Sequence, residues 1–236
     1  MTMQGLWCVV PAAGRGTRVG GDCPKQYLPL AGRSLIHHTL ERLAAHPQIS
    51  GLLVVLGAHD AHWSGIDTLN GKPVHTAIGG AERCDSVLAG LDALPAEIAS
   101  SDFVLVHDAA RPCVRLADIS KLIELATQQD GGLLGAPLRD TLKRADAHGR
   151  SELTERRDLR WRAFTPQLFR RGQLAAALRD TAQRGERVSD EAMAMEQAGF
   201  APLLVEGAED NIKVTTAADF ALAEFLLART GGCAHA

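Results

Sequence analysis

Residues 6–18 read Leu6-Trp7-Cys8-Val9-Val10-Pro11-Ala12-Ala13-Gly14-Arg15-Gly16-Thr17-Arg18. The first five residues form a short, continuous apolar run with β-branched members, which is typical of a strand buried on both faces. The small residues that follow let the backbone approach a ligand with its N–H groups unshielded, and the two glycines permit positive φ. This stretch predicts a core strand whose carboxyl end carries a loop for phosphates or a base edge.

Two cationic side chains accompany this loop. Arg18 closes it, and Lys25 follows within Pro24-Lys25-Gln26. Both could neutralise the oxygens of a triphosphate as it reacts. The dinucleotide fingerprint G-x-G-x-x-G is not met, because its third glycine is Val19 here, and the phosphate-loop pattern is not completed by a Gly-Lys pair. A simple strand-to-helix turn is the alternative interpretation.

The composition limits the class of protein. The chain has 236 residues, 46% hydrophobic and 22% charged, with a formal net charge of −3. This length predicts one domain over residues 1–236. No apolar run is long enough to cross a bilayer and no secretory signal is present, so we expect a cytoplasmic protein with no membrane partner. The charge balance argues against nucleic-acid binding, and five cysteines without a C-x-x-C pair argue against disulfides or zinc.

Apolar runs alternate with amphipathic segments along the rest of the chain. Buried strands are predicted at 51–56, 74–78, 103–106, 131–137 and 203–205. Helices are predicted at 34–45, 59–69, 116–128, 173–183, 189–198 and 216–227, with Thr165-Pro166 as a further helix start. Another helix is predicted after Gly79-Gly80, with Val87, Leu88, Leu91 and Leu94 as its apolar face. This alternation predicts an α/β fold with a Rossmann-like, mostly parallel, doubly wound sheet.

Two further loops follow predicted strands. Gly79-Gly80 opens a helix that contains Ser86, and the strand at 103–106 leads into His107-Asp108-Ala109-Ala110-Arg111-Pro112. Open parallel sheets bind ligands in such crevices. Asp108 is a candidate Mg²⁺ ligand, because magnesium combines one or two carboxylates with substrate phosphates, and Arg111 could reach a phosphate or hydroxyl. Helix caps and a surface arginine are the alternatives.

Residues 138–162 interrupt this pattern. They are polar and strongly charged without a long apolar periodicity, so they cannot form core, and segments of this length inside a compact domain are usually functional. We predict a protruding arm of short strands, with a solvated flap as the alternative. Beyond the arm, Lys213 in Asn-Ile-Lys-Val-Thr could be merely an exposed lysine, and Asp210 could be a second metal ligand.

The stretch 11–18 with Pro24-Lys25-Gln26 resembles the amino-terminal signature of the nucleotidylyltransferases that join a nucleoside triphosphate to a sugar or alditol phosphate. The hexapeptide at 107–112 and the segment around Lys213 are similar to the 2-C-methyl-D-erythritol 4-phosphate cytidylyltransferases of the non-mevalonate isoprenoid pathway. This resemblance runs over nearly the whole chain. It implies the nucleotidyltransferase type of sheet, Mg²⁺ or another divalent cation as cofactor, and a homodimer formed through the arm at 138–162.

The resemblance also implies an activity and residue roles: transfer of CMP from CTP to 2-C-methyl-D-erythritol 4-phosphate. The implied catalytic residues are Arg18, Lys25, Arg157 and Lys213. The implied nucleotide-binding residues are Pro11, Ala12, Ala13, Gly14, Gly16, Thr17, Lys25, Gly79, Gly80, Ser86 and Asp108. The implied acceptor-binding residues are Asp108, Arg111, Thr141, Arg157, Thr165 and Lys213. Many members carry an acidic residue where this chain has Ala81. There are two alternative functions: a nucleotidylyltransferase with another acceptor, and a non-catalytic nucleotide-binding module.

Overall fold

A computed structural model describes residues 5–14 and 23–231 of the protein, the last two by their backbone alone. Three of the residues predicted to act at the site, Gly16, Thr17 and Arg18, lie outside the described residues. Within the described ranges, no helix is both long and apolar enough to cross a membrane.

The described residues form twelve strands, six α-helices and a 3-10 turn at Lys25–Tyr27. The strands are β1 (Leu6–Pro11), β2 (Pro29–Leu30), β3 (Arg33–Ser34), β4 (Ile49–Leu56), β5 (Thr68–Leu69), β6 (Lys72–Ile78), β7 (Phe103–Val106), β8 (Gly132–Pro137), β9 (Leu142–Ala145), β10 (Ser151–Glu155), β11 (Trp161–Arg170) and β12 (Leu203–Glu206). The helices are α1 (Leu35–Ala44), α2 (Arg83–Asp92), α3 (Leu116–Ala126), α4 (Arg171–Gln183), α5 (Glu191–Gln197) and α6 (Ala217–Gly231).

Eight strands form the central sheet, in the order β12-β8-β11-β7-β1-β4-β6-β5. The pairs β1·β4, β1·β7, β4·β6 and β8·β12 are parallel. Strand β11 runs antiparallel to both of its neighbours, and β5 runs antiparallel to β6. The sheet is therefore mostly parallel, as the alternation of apolar runs predicted.

Helices cover both faces of the sheet, which explains why β1 is apolar throughout. Side chains of a strand alternate between the two faces. Trp7 and Val9 pack with α2, α4 and α5 on one face, whereas Cys8 and Val10 pack with α1 and α3 on the other. All four side chains are buried. This arrangement confirms the doubly wound architecture.

The chain reverses its direction of travel across the sheet at β1. From β1 it proceeds through α1 to β4 on one side, and later returns through α2 to β7 on the other side. Open α/β sheets bind ligands outside the carboxyl ends of the strands at such a switch point. The loops after β1, β6 and β7 meet there, so this edge is where a ligand site is expected.

Two local predictions are wrong. Residues 59–69 form turns and the short strand β5 rather than a helix. Most of their side chains are exposed, and Trp63, Ile66 and Leu69 pack against the core while just partly buried, which is too little burial to stabilise a short helix. Thr165-Pro166 does not start a helix but lies inside β11, with a cis peptide bond. The following residues, 167–170, pair with β7, so sheet pairing outweighs the local helix-start pattern.

Other predicted elements are confirmed, with small shifts at their ends. Helix α5 is capped by Asp190, whose carboxylate accepts a hydrogen bond from the backbone N–H of Met193. A capping box begins α6: Asp219 accepts from the N–H of Thr216, and the Thr216 hydroxyl accepts from the N–H of Asp219. Residues 138–162 include the antiparallel hairpin β9–β10, which forms a sheet of its own and is largely exposed.

Candidate active site

A crevice of about 260 Å³ opens at the carboxyl ends of β1, β6 and β7. It brings together residues from five stretches of the chain, within 11–14, 25–26, 80–86, 108–110 and 213–215. Its lining consists of Pro11, Ala12, Ala13, Gly14, Lys25, Gln26, Gly80, Ala81, Glu82, Arg83, Ser86, Asp108, Ala109, Ala110, Lys213 and Thr215. The predicted ligand loops therefore do converge on one site.

Gln26 holds the loop after β1 in place. Its side chain is buried, and its Nε2 donates to the carbonyl oxygens of Ala12 at 2.7 Å and Gly14 at 3.0 Å. The loop after β6 packs tightly against the loop after β1: a Cβ added at Gly79 would lie only 2.9 Å from the Cβ of Ala13. Glycine at position 79 thus permits the close approach that forms the wall of the crevice.

Lys25 connects the amino-terminal part of the site to its carboxyl-terminal part, residues 213–215. It lies on the 3-10 turn, and its Nζ donates to the carbonyl oxygen of Val214 at 2.8 Å. Val214 is itself anchored, since its N–H donates to the carbonyl of Ala110 at 2.8 Å. Lys25 and Lys213 consequently line the same crevice although they lie near opposite ends of the chain.

Asp108 lies on the floor of the crevice within a cluster of cations. Its Oδ1 is 2.9 Å from Nη2 of Arg83, and its Oδ2 is 2.8 Å from Nζ of Lys213 and 3.7 Å from Nε of Arg111. Burial alone would raise the pKa of Asp108, but the charges of Arg83, Lys213 and Arg111 outweigh it and hold the pKa well below its ordinary range. Asp108 is therefore a fully ionised carboxylate at neutral pH.

Two charged residues of this cluster were not recognised in the sequence. Arg83 binds Glu191 through two contacts, Nη1 to Oε1 at 2.5 Å and Nη2 to Oε2 at 3.1 Å. The Glu191 side chain is only 1% exposed. One signal was available: Arg83 occupies the first turn of α2, where the helix dipole disfavours a cation, so its position already suggested a specific partner.

His107 fixes the loop that carries Asp108. Its Nε2 lies 3.0 Å from the carbonyl oxygen of Arg111, and a carbonyl only accepts, so Nε2 bears the proton of the neutral ring. Nδ1 is then an acceptor for the Thr165 hydroxyl at 3.1 Å. The Thr165 oxygen in turn accepts from the N–H of Asp108 at 3.0 Å. This chain of hydrogen bonds sets the direction in which Asp108 leaves β7.

The protein should lose stability in mild acid because of His107. Burial lowers the pKa of His107 from 6.5 to about 4. A depressed pKa in the folded state gives stability that is present above the unfolded pKa and is lost as the pH falls to the folded value. We expect about 3 kcal/mol of unfolding free energy to be lost between pH 6.5 and pH 4. Urea titrations across this range would measure the loss, and His107→Gln should have a flatter profile; equal slopes would contradict the assignment.

Comparison with known proteins identifies the family. The family model described as "IspD: 2-C-methyl-D-erythritol 4-phosphate cytidylyltransferase" matches residues 6–229. The chain belongs to this cytidylyltransferase family. A family member from Stenotrophomonas maltophilia strain K279a is 57% identical over 228 residues, which are 96% of this chain and 98% of that protein.

Solved structures agree with this membership. A crystal structure of 4-diphosphocytidyl-2C-methyl-D-erythritol synthase superposes with a TM-score of 0.82 at 32% identity, covering 95% of this chain and 99% of the other. The 2-C-methyl-D-erythritol 4-phosphate cytidylyltransferase of Francisella tularensis gives a TM-score of 0.81 at 32% identity, covering 94% and 99%. The predicted nucleotidyltransferase type of sheet is thereby confirmed.

The residues expected to bind the nucleotide in the cytidylyltransferase family lie mostly at the crevice. Ser86 is buried, lines the crevice and donates its hydroxyl to the carbonyl of Glu82 at 3.1 Å. Ala81, where many family members are acidic, also lines the crevice. Glu82 and Asp85 form a capping box at the start of α2, which fixes the loop that follows Gly79-Gly80.

The residues expected to bind the acceptor are more scattered. Thr165 is buried, and its hydroxyl donates to Nδ1 of His107 and accepts from the N–H of Asp108. Arg111 is also buried: its Nη1 donates to the carbonyl of Asn211 at 2.6 Å, and its guanidinium carbon lies 5.1 Å from the centre of the Phe164 ring. Both residues support the crevice from behind rather than line it.

The arm residues do not line the crevice of their own chain. Thr141 and Arg157 are exposed, and the guanidinium of Arg157 donates to the carbonyl of Arg139. Asp210, considered as a second metal ligand, forms an ion pair with Arg115 instead of lining the crevice. Of the acceptor-binding residues expected in this cytidylyltransferase, only Asp108 and Lys213 line the crevice within the described part of one chain.

Proposed function

We propose that this crevice is the site of cytidylyl transfer. As a member of its family, the protein transfers CMP from CTP to 2-C-methyl-D-erythritol 4-phosphate, giving 4-diphosphocytidyl-2-C-methyl-D-erythritol and pyrophosphate in isoprenoid precursor biosynthesis. The observation that carries the assignment to this crevice is the convergence of Lys25, Lys213 and Asp108 at the carboxyl edge of a parallel sheet.

The chemistry needs electrostatic stabilisation more than acid–base catalysis. The acceptor phosphate is already an anion at neutral pH, and it attacks the α-phosphorus of CTP in line with the departing pyrophosphate. The barrier comes from bringing two anions together and from charge on the pentacoordinate phosphorus. Lys25 and Arg18 would stabilise that charge, while Lys213 and Arg157 would hold the attacking phosphate.

The nucleotide would lie between the two glycine loops. Backbone N–H groups of the loop at residues 11–17 would bind the triphosphate, and Gly79, Gly80 and Ser86 would contact the cytidine. Asp108 and Lys213 are hydrogen-bonded to each other at the acceptor end of the crevice. An acceptor phosphate entering there would find the ammonium group of Lys213 already oriented.

We propose that the reaction uses Mg²⁺ or another divalent cation, with Asp108 as its protein ligand. The described residues contain no group of three or more His, Cys, Asp or Glu side chains that could form a metal site by themselves. One ionised carboxylate fits an ion held mainly by phosphate oxygens and water. Both Asp108 oxygens are in ion pairs, but an ionised carboxylate has about four lone-pair sites, so it could bind the ion while keeping Arg83 and Lys213 as partners. Such an ion would neutralise triphosphate charge.

We also propose that residues 1–236 act as one nucleotidyltransferase domain and that the arm at 138–162 forms a homodimer. Two exposed features support this role: the hairpin β9–β10 is a separate sheet, and Leu159 is 94% exposed. Thr141 and Arg157 would then reach the crevice of the partner subunit. Composition and charge favour a cytoplasmic enzyme without nucleic-acid or membrane partners.

A mixing experiment would test the arm. If Arg157 serves the neighbouring crevice, a mixture of Lys25→Ala and Arg157→Ala subunits contains heterodimers with one intact site. We expect about a quarter of the wild-type turnover after unfolding and refolding the two inactive variants together, because random pairing makes half of the dimers mixed and each mixed dimer has one of its two sites. Recovery would be absent if each arm served its own chain or if the protein were monomeric.

The proposed function is tested by measuring pyrophosphate release. The four nucleoside triphosphates are combined with 2-C-methyl-D-erythritol 4-phosphate and with a panel of sugar and alditol phosphates. We expect release from CTP only in the presence of the methylerythritol phosphate, abolished by EDTA and restored by Mg²⁺. Release with a different acceptor would point to another nucleotidylyltransferase, and binding of CTP without release would point to a non-catalytic module.

A further inference from the structure

Four side chains of alternating charge form a continuous chain that starts behind the crevice and ends at its floor: Glu191, Arg83, Asp108 and Lys213. They come from four separate elements, the first turn of α5, the first turn of α2, the loop after β7 and the segment before α6. Glu191 contacts Arg83 at 2.5 Å, Arg83 contacts Asp108 at 2.9 Å, and Asp108 contacts Lys213 at 2.8 Å. Only Asp108 and Lys213 are accounted for by the proposed reaction.

Three nitrogens of the Arg83 guanidinium are used within this chain. Nε and Nη2 approach Oδ1 of Asp108 at 3.0 and 2.9 Å, while Nη1 and Nη2 approach the two oxygens of Glu191. A guanidinium engaged on two sides in this way is rigid, because its planar fork matches carboxylate geometry. Arg83 therefore holds one oxygen of Asp108 and leaves the other for Lys213.

Glu191 makes this arrangement possible. Arg83 sits in the first turn of α2, where the dipole disfavours a cation, and it faces two further cations, Lys213 and Arg111, across Asp108. Glu191 offsets that charge from the side away from the crevice. A buried ion pair gives little net stability compared with apolar side chains of the same size, so stability alone does not account for the pair.

We infer that Arg83 and Glu191 are positioning residues for the reaction: they hold the Asp108 carboxylate so that it orients the ammonium group of Lys213 toward the acceptor phosphate. The inference rests on the proposed function of this crevice. Lys213 is 42% exposed, so its long side chain would otherwise sample many rotamers. Misplacement of a reacting group by about 1 Å is enough to cost about 100-fold in rate.

The test uses a double variant, Arg83→Met with Glu191→Leu, which removes both charges and leaves neither one buried alone. We expect its melting temperature to stay near that of the wild-type protein, while kcat/KM for the acceptor falls by about 10–100-fold and KM for CTP changes much less. A purely structural role would not produce a loss confined to the acceptor. The wild-type protein is assayed alongside, by pyrophosphate release in the full-length enzyme.

Arg83→Lys is the second variant, in case the double variant does not fold. Its ammonium can pair with Glu191 but cannot also grip Asp108 as a fork does, so we expect a folded protein with the same acceptor-specific loss. Arg33→Met with Glu41→Leu is the matched control, because that exposed pair on the α1 side has its atoms 3.0 Å apart and should leave the kinetics unchanged.

Each outcome decides the inference. Wild-type kinetics in either folded variant would overturn the positioning role while leaving the proposed function intact. A loss of activity that only follows the loss of folded protein, with both KM values unchanged, would also overturn it. A wild-type enzyme that releases no pyrophosphate with the acceptor would overturn the proposed function, and the inference with it.

Discussion

Lys25→Ala is expected to fold normally and to lose about 10²–10³-fold in turnover, because losing one group that stabilises developing negative charge has an effect of this size. Lys25 is half-buried in the crevice wall, and its ammonium group is held by the carbonyl of Val214. It therefore meets a bound triphosphate with little reorganisation. Its contribution should appear in kcat, since charge develops at the phosphorus only as the reaction proceeds.

The measurement is steady-state pyrophosphate release, with thermal melting to verify the fold. Lys121→Ala is a matched control, because Lys121 also donates to a backbone carbonyl, that of Glu206 at 2.8 Å, but is exposed and does not line the crevice. We expect Lys121→Ala to keep its turnover. A purified Lys25→Ala protein with wild-type turnover would remove Lys25 from the mechanism.

Arg83→Ala is expected to lower the free energy of unfolding by about 3 kcal/mol, the low end of the usual cost of breaking a buried pair by removing one partner, because the Arg83 side chain is 29% exposed. Glu191, 1% exposed, would keep its charge in the interior without the guanidinium that it binds.

Urea unfolding at pH 7 would measure this loss. Arg179→Ala is the control, since its partner Asp92 has a side chain that is 52% exposed, and pairs of this kind contribute less than about 1 kcal/mol. Similar small losses for Arg83→Ala and Arg179→Ala would mean that the buried pair carries no special stability.

The architecture was predictable because it depends on patterns that are local in the chain. The run from Leu6 to Val10 predicts burial on both faces, and the packing of alternate residues against helices on opposite faces confirms this. Small-residue loops after three apolar strands predict where a ligand site lies, because parallel strands all end at one edge. The crevice forms there.

Local patterns failed where distant pairing decides the conformation. Thr165-Pro166 carries the local signal of a helix start, yet the strand β11 continues through it because the residues that follow pair with β7. The segment 59–69 has a weak helical periodicity, but its apolar residues Trp63, Ile66 and Leu69 are just partly buried against the core, and the segment forms turns and β5. In both places tertiary packing decides the conformation. Strand β11 gains sheet pairing that outweighs the helix-start signal, and the segment 59–69 buries too little apolar surface to stabilise a helix.

The sequence by itself determined the class of fold, the edge of the sheet that carries the site, and most of the residues that line it, since periodicity and loop composition are properties of neighbouring residues. Only the tertiary structure decided that Arg83 pairs with both Asp108 and Glu191, the latter 108 positions further along the chain, and that Thr165 and Arg111 support the crevice from behind. The physical reason is that ion pairs and hydrogen bonds depend on distances of about 3 Å in space, which spacing along the chain does not encode.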